Sequence, residues 1–234
     1  MSGFRVGAIW LIAVSREPPF NQEKPHVVCF KLRAWNYGRN HDRNCYSLVS
    51  DRNLYSPRMV RQMKTLFLDL ETSSLDQVRG AILEIGAIAV VGEETKATFH
   101  QYLQPHIGAI VEDKALQVNL TTRADLDSPS RLLPGAGFNA FTDFLALHVD
   151  PYSRGDKFFL VAYNAAFDTG FLEEWFKRNG SRYFGSYFWR PSLCSYVLAA
   201  FHLGDEWAKL PDRKLATVAA RLDIAPPQVG KLHT

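Results

Sequence analysis

The sequence predicts an α/β domain in which helices pack on a mixed sheet. Three short apolar segments, at 66–72, 81–91 and 96–103, follow one another with short connections, which is typical of an antiparallel meander. A fourth apolar run, at 158–162, is continuous, as in a strand covered on both faces, and it turns directly into a helical pattern. We therefore expect the three-strand antiparallel meander to be joined by parallel strands, with the fourth strand beside the first.

Apolar residues at helical spacing fill the connections between and after these strands. They predict helices at 111–118, 120–126, 137–148, 167–180, 191–201 and 215–222. The third of these helices carries Phe138, Phe141 and Phe144 on one stripe. Because the apolar stripe of a surface helix normally faces the interior, we interpret these phenylalanines as core residues.

The composition indicates a globular protein without a membrane segment. The 234 residues are 47% hydrophobic and 22% charged, which is ordinary for such proteins. No apolar run approaches the roughly 20 residues that a membrane-spanning helix needs. The sequence has three cysteines, Cys29, Cys45 and Cys194, and their spacing is not that of a metal site. Because an odd number cannot all pair in disulfides within one chain, we expect a reducing compartment and hence the cytoplasm.

The N-terminal quarter differs in kind from the rest. Residues 1–64 carry 11 Lys and Arg against 4 Asp and Glu, a balance of +7, whereas residues 65–234 carry 16 against 20, a balance of −4. In the segment 21–62, apolar residues recur with neither the period of a strand nor that of a helix. Met63 lies directly before the first strand, where a start of translation would lie. We expect residues 1–62 to be a poorly ordered upstream extension or an artefact of start assignment, and 63–234 to form the domain. A secretory signal and a basic nucleic-acid-binding arm are the alternatives.

Two acidic residues lie within the first predicted strand, where acids are uncommon. Because successive side chains of a strand point to opposite faces, Asp69 and Glu71 share one face, and Leu68 and Leu70 share the other. Two carboxylates on one face repel each other unless a positive charge lies between them, and Mg²⁺ and Mn²⁺ are cations that prefer oxygen ligands. The acid pair alone is equally compatible with a solvated strand edge.

Two motifs make the sequence resemble the DEDD-type 3′→5′ exonucleases, the family of the proofreading epsilon subunit of bacterial DNA polymerase III. The first motif is matched by Phe67-Leu68-Asp69-Leu70-Glu71-Thr72. The second, which is long and specific, is matched by Ala162-Tyr163-Asn164-Ala165-Ala166-Phe167-Asp168-Thr169-Gly170-Phe171-Leu172. Residues 214–224 are similar to the stretch before the third motif, and Lys231-Leu232-His233 to its opening in the histidine subgroup. The resemblance covers about residues 64–234.

The resemblance implies a ribonuclease H-like fold and a metal-dependent hydrolase. It implies that Asp69, Glu71 and Asp168 bind two Mg²⁺ or Mn²⁺ ions, with Asp69 bridging them, and that His233 takes a proton from the attacking water. Such a pair of ions holds the attacking and leaving oxygens of a phosphodiester. Because the unperturbed pKa of histidine is about 6.5, His233 suits this role near neutral pH.

The resemblance also assigns substrate and partner roles. It places Thr72, Leu75 and Asn164 near the terminal nucleotide, although each also suits a structural role in a turn or a core. The implied substrate is the 3′ end of single-stranded DNA, with RNA open, and the implied context is DNA replication and repair beside a DNA polymerase. The alternatives are a non-catalytic nucleic-acid-binding or polymerase-associated module, an RNA or oligoribonucleotide exonuclease, and an endonuclease of the ribonuclease H-like group.

Two departures from the family pattern accompany the resemblance. Ser74 stands where the family usually has glycine, which is expected to reshape the turn after the acids. The fourth acid of the family follows the histidine by about five residues, whereas this sequence ends one residue after His233. We therefore expect a domain truncated at its third motif, and weak or no activity from the 234-residue chain.

Overall fold

The computed structural model describes residues 62–224 of the chain. The strands are β1 (Lys64–Thr72), β2 (Ile82–Val91), β3 (Glu94–Tyr102), β4 (Phe158–Ala162) and β5 (Leu193–Cys194). They form one sheet in the order β3-β2-β1-β4-β5. The pairs β1–β2 and β2–β3 are antiparallel, and the pairs β1–β4 and β4–β5 are parallel. The expected α/β fold with a meander and parallel strands is therefore confirmed. The expectations about residues 1–61 and about the third motif lie outside the described range.

Helices occupy the connections and the C-terminal part of that range. They are α1 (Asp113–Val118), α2 (Arg123–Leu126), α3 (Pro134–Ala146), α4 (Ala165–Arg178), α5 (Phe184–Tyr187), α6 (Ser195–Leu203), α7 (Asp205–Ala208) and α8 (Leu215–Arg221). The predicted helix start at residue 191 is wrong, because Leu193 and Cys194 first pair with β4. A two-residue strand has no periodicity, so the sequence carries no local signal of that pairing. Between residues 62 and 224, no helix is long and apolar enough to cross a membrane.

Alternation along β1 separates a core face from an acid face. Leu66, Leu68 and Leu70 are buried and pack in the main hydrophobic cluster of the domain. Asp69 and Glu71 alternate with these leucines and are only partly buried. The period-two pattern therefore places both acids on the face opposite the apolar core, as the sequence predicts.

Helices α3 and α4 contribute the aromatic half of that core. Phe138 of α3 packs edge-to-face against Trp175 and Phe176 of α4, with ring centroids 5.3 and 4.9 Å apart. Phe141 and Phe144 lie in the same cluster, so the interpretation of the three phenylalanines as core residues is confirmed. Each such aromatic pair contributes about 0.5–1.5 kcal/mol beyond the area that it buries. This packing holds α4 against the sheet, next to the strand that carries the acids.

Candidate active site

The candidate site begins where β4 stops accompanying β1. The two strands pair in parallel as far as Phe67 and Val161, while β2 accompanies β1 to Thr72. Helix α4 contacts β1 as well, and the backbone N–H of Leu70 donates a hydrogen bond to the carboxylate of Asp168. The junction therefore brings the start of α4 to the part of β1 that carries the two acids.

The turn between β4 and α4 presents Asp168 in the first turn of the helix. Asn164 precedes α4 with a φ of 67° and a ψ of 48°, a left-handed conformation that asparagine adopts more readily than most residues. Its side chain makes no capping hydrogen bond, so Asn164 acts here through the shape of its backbone. Asp168 follows and is only 5% exposed. Asn164 shapes the turn, whereas its contact with substrate stays a prediction.

The surroundings of Asp168 favour its neutral form. The pKa of Asp168 is raised to about 8, chiefly by burial and then by the negative charges of Asp69 and, more weakly, Glu71. The backbone N–H groups of Asp168 and Leu70 donate to the carboxylate and oppose the rise. Because nearby like charges disfavour ionisation, Asp69 and Glu71 add to the effect of burial on Asp168.

Asp69 is desolvated too, and a neighbouring acid on β2 adds to the effect. Burial and, more weakly, the charge of Glu84 together raise the pKa of Asp69 to about 6. Glu84 lies opposite Glu71 in the sheet, and its Oε1 is 2.6 Å from Nε2 of His100 on β3. The sequence motifs do not include His100. Its position follows from the strand register, in which Gly86 lies opposite both Asp69 and His100, and the sequence carries no local signal of that register.

The donor chemistry of the site fits a hard divalent cation. Asp69 and Asp168 are desolvated carboxylates, and a cation between them would relieve their repulsion. Carboxylate oxygens are also the ligands that Mg²⁺ and Mn²⁺ prefer. Among residues 62–224, no group of three or more His, Cys, Asp and Glu side chains is arranged so that it could hold a metal ion. The three-carboxylate ligand set, with Glu71 as its third member, therefore stays a prediction.

The remaining predicted site residues differ in their surroundings. Thr72 is buried at the end of β1, and its hydroxyl donates to the carbonyl oxygen of Ser74 at 2.9 Å. Leu75 is 80% exposed, so its side chain is accessible to a ligand. His233 lies outside the described residues. The contacts of Thr72 and Leu75 with a nucleotide, and the role of His233 as a base, stay predictions.

The loop 73–80 links the acid strand to α4 through contacts that the motifs did not reveal. Ser74 is fully buried, and its Oγ accepts a hydrogen bond from the N–H of Asp76 at 3.2 Å. The serine at this position therefore takes part in shaping the turn. Gln77 donates from Nε2 to the carbonyl oxygens of Ala166 and Phe167, both at 3.3 Å. These long-range contacts join the loop to the helix that carries Asp168.

Comparison with protein families decides the family of this chain. The family model described as Exonuclease (RNase_T) matches residues 66–233. The chain belongs to this exonuclease family. The resemblance to the DEDD-type 3′→5′ exonucleases of ribonuclease H-like fold is thereby confirmed.

Curated relatives of this exonuclease domain are bacterial DNA polymerase III proteins. The DNA polymerase III subunit epsilon of Salmonella typhimurium is 33% identical over 118 residues, which are 47% of this chain and 42% of that protein. The epsilon subunit of Buchnera aphidicola is 30% identical over 122 residues, 49% of this chain and 45% of that protein. The PolC-type DNA polymerase III of Bacillus cereus is 25% identical over 171 residues, 71% of this chain and 10% of that protein. The exonuclease domain thus spans less than half the length of these relatives.

Solved structures of exonuclease I have the same fold as this exonuclease domain. A product-bound structure of exonuclease I gives a TM-score of 0.54 at 19% identity and covers 70% of this chain and 39% of that one. Exonuclease I of E. coli in complex with a 5cy-dT13 oligonucleotide gives a TM-score of 0.55 at 16% identity and covers 71% of this chain and 37% of that one. At such identities the likeness concerns the fold alone.

Proposed function

We propose that this exonuclease domain hydrolyses terminal phosphodiesters at the 3′ end of single-stranded nucleic acid, with DNA as its main substrate. The observation that carries the proposal is that Asp69 and Asp168, from separate motifs, are both desolvated and that the charge of Asp69 acts on Asp168. Two desolvated carboxylates without a compensating charge destabilise a fold, so packing alone does not explain them. A reaction that depends on divalent cations does explain them.

The carboxylates would act as ligands, and their protonation would be coupled to cation binding. Two Mg²⁺ or Mn²⁺ ions, when bound, would supply activation of a water molecule and stabilisation of the leaving oxygen. Asp69, Glu71 and Asp168 would hold these ions. With a pKa of about 8, Asp168 has to release a proton before it can act as a ligand, whereas Asp69, at about 6, is largely ionised at neutral pH.

Other residues would handle the proton and the terminal nucleotide. His233 would accept the proton of the attacking water, as the histidine subgroup implies. Leu75 is exposed beyond the end of β1 and would pack against the terminal base. Thr72 and Asn164 would act through the backbone that they shape, because the hydroxyl of Thr72 already donates within the turn.

The relatives support DNA as the substrate and a polymerase as the partner. The epsilon and PolC-type relatives are named as DNA polymerase III proteins. One exonuclease I structure is a complex with single-stranded DNA. We infer that this domain acts on single-stranded DNA in replication or repair, in the cytoplasm and alongside a DNA polymerase.

The proposal is tested with 5′-labelled single strands of DNA and RNA in the presence of Mg²⁺. We expect a ladder of DNA products shortened from the 3′ end. Asp69→Ala should lower the rate by roughly 10²–10³-fold or more, because it removes the central carboxylate of the site. Asp127→Ala is the matched control, since it removes an exposed acid at the end of α2, and it should leave the rate unchanged.

The products and the stability of the variants separate the alternatives. Internal cuts would identify an endonuclease, and a ladder on RNA alone would identify an RNA exonuclease. Thermal melts should show that Asp69→Ala remains folded, so that a lost ladder reports the site. The assay includes a chain extended beyond Thr234, because the family pattern places its fourth acid there. A full ladder from Asp69→Ala would contradict the proposal.

A non-catalytic nucleic-acid-binding module is the second candidate. It is favoured by the finding that the part of the chain between 62 and 224 holds no ready-made cluster of three or more metal-binding side chains. Binding of the labelled strands without any cut, in the extended chain as well, would support this candidate. Cleavage that disappears when EDTA removes the cation would exclude it.

A further inference from the structure

We propose that Gln77 is a positioning residue that holds the first turn of α4 so that Asp168 faces Asp69. The inference rests on the proposed function, because it concerns the geometry of the same carboxylates. The two acids lie on separate elements, and α4 begins at Asn164 without a side-chain cap. The relative position of the acids therefore depends on contacts made from outside the helix.

The side-chain amide of Gln77 supplies such contacts directly before Asp168. Its Nε2 lies 3.3 Å from the carbonyl oxygen of Ala166 and 3.3 Å from that of Phe167. These are the two residues that precede Asp168 in the helix. Both hydrogen bonds join the loop after β1 to α4, so a single side chain connects the two elements that carry the acids.

A glycine in α4 makes room for this amide. A Cβ at Gly170 would lie 2.2 Å from Oε1 of Gln77, which is far inside contact distance. Glycine within a helix is less favourable than alanine by about 0.5–1 kcal/mol. The helix therefore gives up stability at the position where Gln77 lies against it, two residues after Asp168.

Gln77 is itself held in an ordered loop. Oδ1 of Asp76 accepts hydrogen bonds from the N–H groups of Val78 and Arg79, at 3.0 and 2.9 Å. Near the far end of α4, the guanidinium of Arg178 donates to the carbonyl oxygen of Val78 at 2.6 Å. The loop is thus tied by hydrogen bonds to both ends of the helix.

Loss of the amide should therefore act on the site more than on the fold. Residues that orient metal ligands typically change metal affinity or activity by roughly 10–100-fold when they are replaced. Gln77→Met keeps the length of the side chain and its packing over Gly170, but it removes the N–H donor. We expect Gln77→Met to weaken Mn²⁺ binding by roughly 10–100-fold with little change in melting temperature.

The experiment compares the full chain with Gln77→Met and Gln104→Met. Gln104 is the matched control, because its Nε2 also donates to a backbone carbonyl, that of Ser128 at 3.5 Å, outside the acid site. Hydrogen exchange of the amides of Gly170 and Phe171, measured without metal, reports the first turn of α4. Electron paramagnetic resonance of Mn²⁺ reports binding at the site.

Faster exchange and weaker Mn²⁺ binding in Gln77→Met, with neither change in Gln104→Met, would support the proposal. Unchanged exchange would overturn it, because α4 would then be held without the amide. Faster exchange with unchanged Mn²⁺ affinity would also overturn it, since the role would be structural alone. If the unaltered chain and the chain extended beyond Thr234 both bind no Mn²⁺ and cut no strand, the proposed function fails. The exchange rates then decide alone whether Gln77 holds the helix.

Discussion

The apolar core and the acid site share β1 and α4, yet burial has opposite consequences in the two regions. In the core, Leu68 and Phe176 are fully buried, and their removal from water stabilises the fold. In the acid site, Asp168 is almost as buried, and its pKa rises to about 8 because the ionised form loses solvation. The comparison teaches that the same two elements supply both the stability of the domain and a buried acid whose ionisation reduces that stability.

The largest expected effect on stability comes from truncating a side chain in the apolar core. Leu68→Ala removes a fully buried side chain next to Asp69 and leaves a cavity in the main cluster. It should lower the free energy of unfolding by about 2–5 kcal/mol, measured by urea denaturation. Leu147→Ala is the control, because Leu147 is 79% exposed, and it should change stability by less than about 0.5 kcal/mol. Equal effects of the two variants would refute the assignment of the core.

The burial of Asp168 should make the free energy of unfolding of the metal-free domain depend on pH. The pKa of Asp168 is about 8 in the folded state against an ordinary value of 3.8, so the folded domain binds this proton more tightly than the unfolded chain. Raising the pH from about 4 to about 8 should therefore destabilise the metal-free domain. Asp168→Asn cannot ionise, and it should be more stable than the unaltered domain at pH 8 by roughly 2 kcal/mol or more.

Thermal melts in EDTA across that pH range measure this difference. The two proteins should approach each other as the pH falls to about 4, because Asp168 is then protonated in the folded domain and close to half protonated in the unfolded chain. Asp69, with its pKa of about 6, adds a similar trend at lower pH in both proteins, so it cancels from the comparison. Asp127→Asn should behave like the unaltered domain. A metal-free domain whose advantage over Asp168→Asn grows with pH would contradict the prediction.

The smallest effect on stability is expected from an apolar side chain that belongs to neither region. Leu75 is 80% exposed, so Leu75→Ser should change the free energy of unfolding by less than about 0.5 kcal/mol. If it packs on the terminal base, KM for single-stranded DNA should rise by about tenfold, a typical loss for a contact with one base. Leu133→Ser, at a residue 63% exposed, is the control and should leave KM unchanged. An unchanged KM for Leu75→Ser would remove Leu75 from the substrate site.

The sequence predicted those parts of the fold and site that have a local pattern. The alternation of β1 placed Asp69 and Glu71 opposite the leucines, and the continuous run 158–162 identified β4 with its bounds. The parallel pairing of β1 with β4, which the order of elements indicated, brings the start of α4 beside β1. These features depend on residues close together in sequence, which periodicity can detect.

The features that were missed depend on contacts between distant residues. The helix expected from residue 191 is preceded by β5, whose two residues are ordered by pairing with β4. The contact of Gln77 with Ala166 spans 89 positions, and neither residue belongs to a chemically distinctive pattern. The effect of Glu84 on Asp69 likewise follows from the register of β1 and β2, which the sequence alone does not specify.

The alternation of side chains along β1 also limits how the length of the chain can change. Inserting or deleting one residue between Leu68 and Thr72 would turn the side chains on one flank of the change to the opposite face. A carboxylate would then enter the leucine layer, and a leucine would replace it at the site. Connections such as 103–112 escape this restriction because they lie outside the strand. Length variants can therefore arise in the loops, whereas the acid strand accepts only exchanges that keep its spacing.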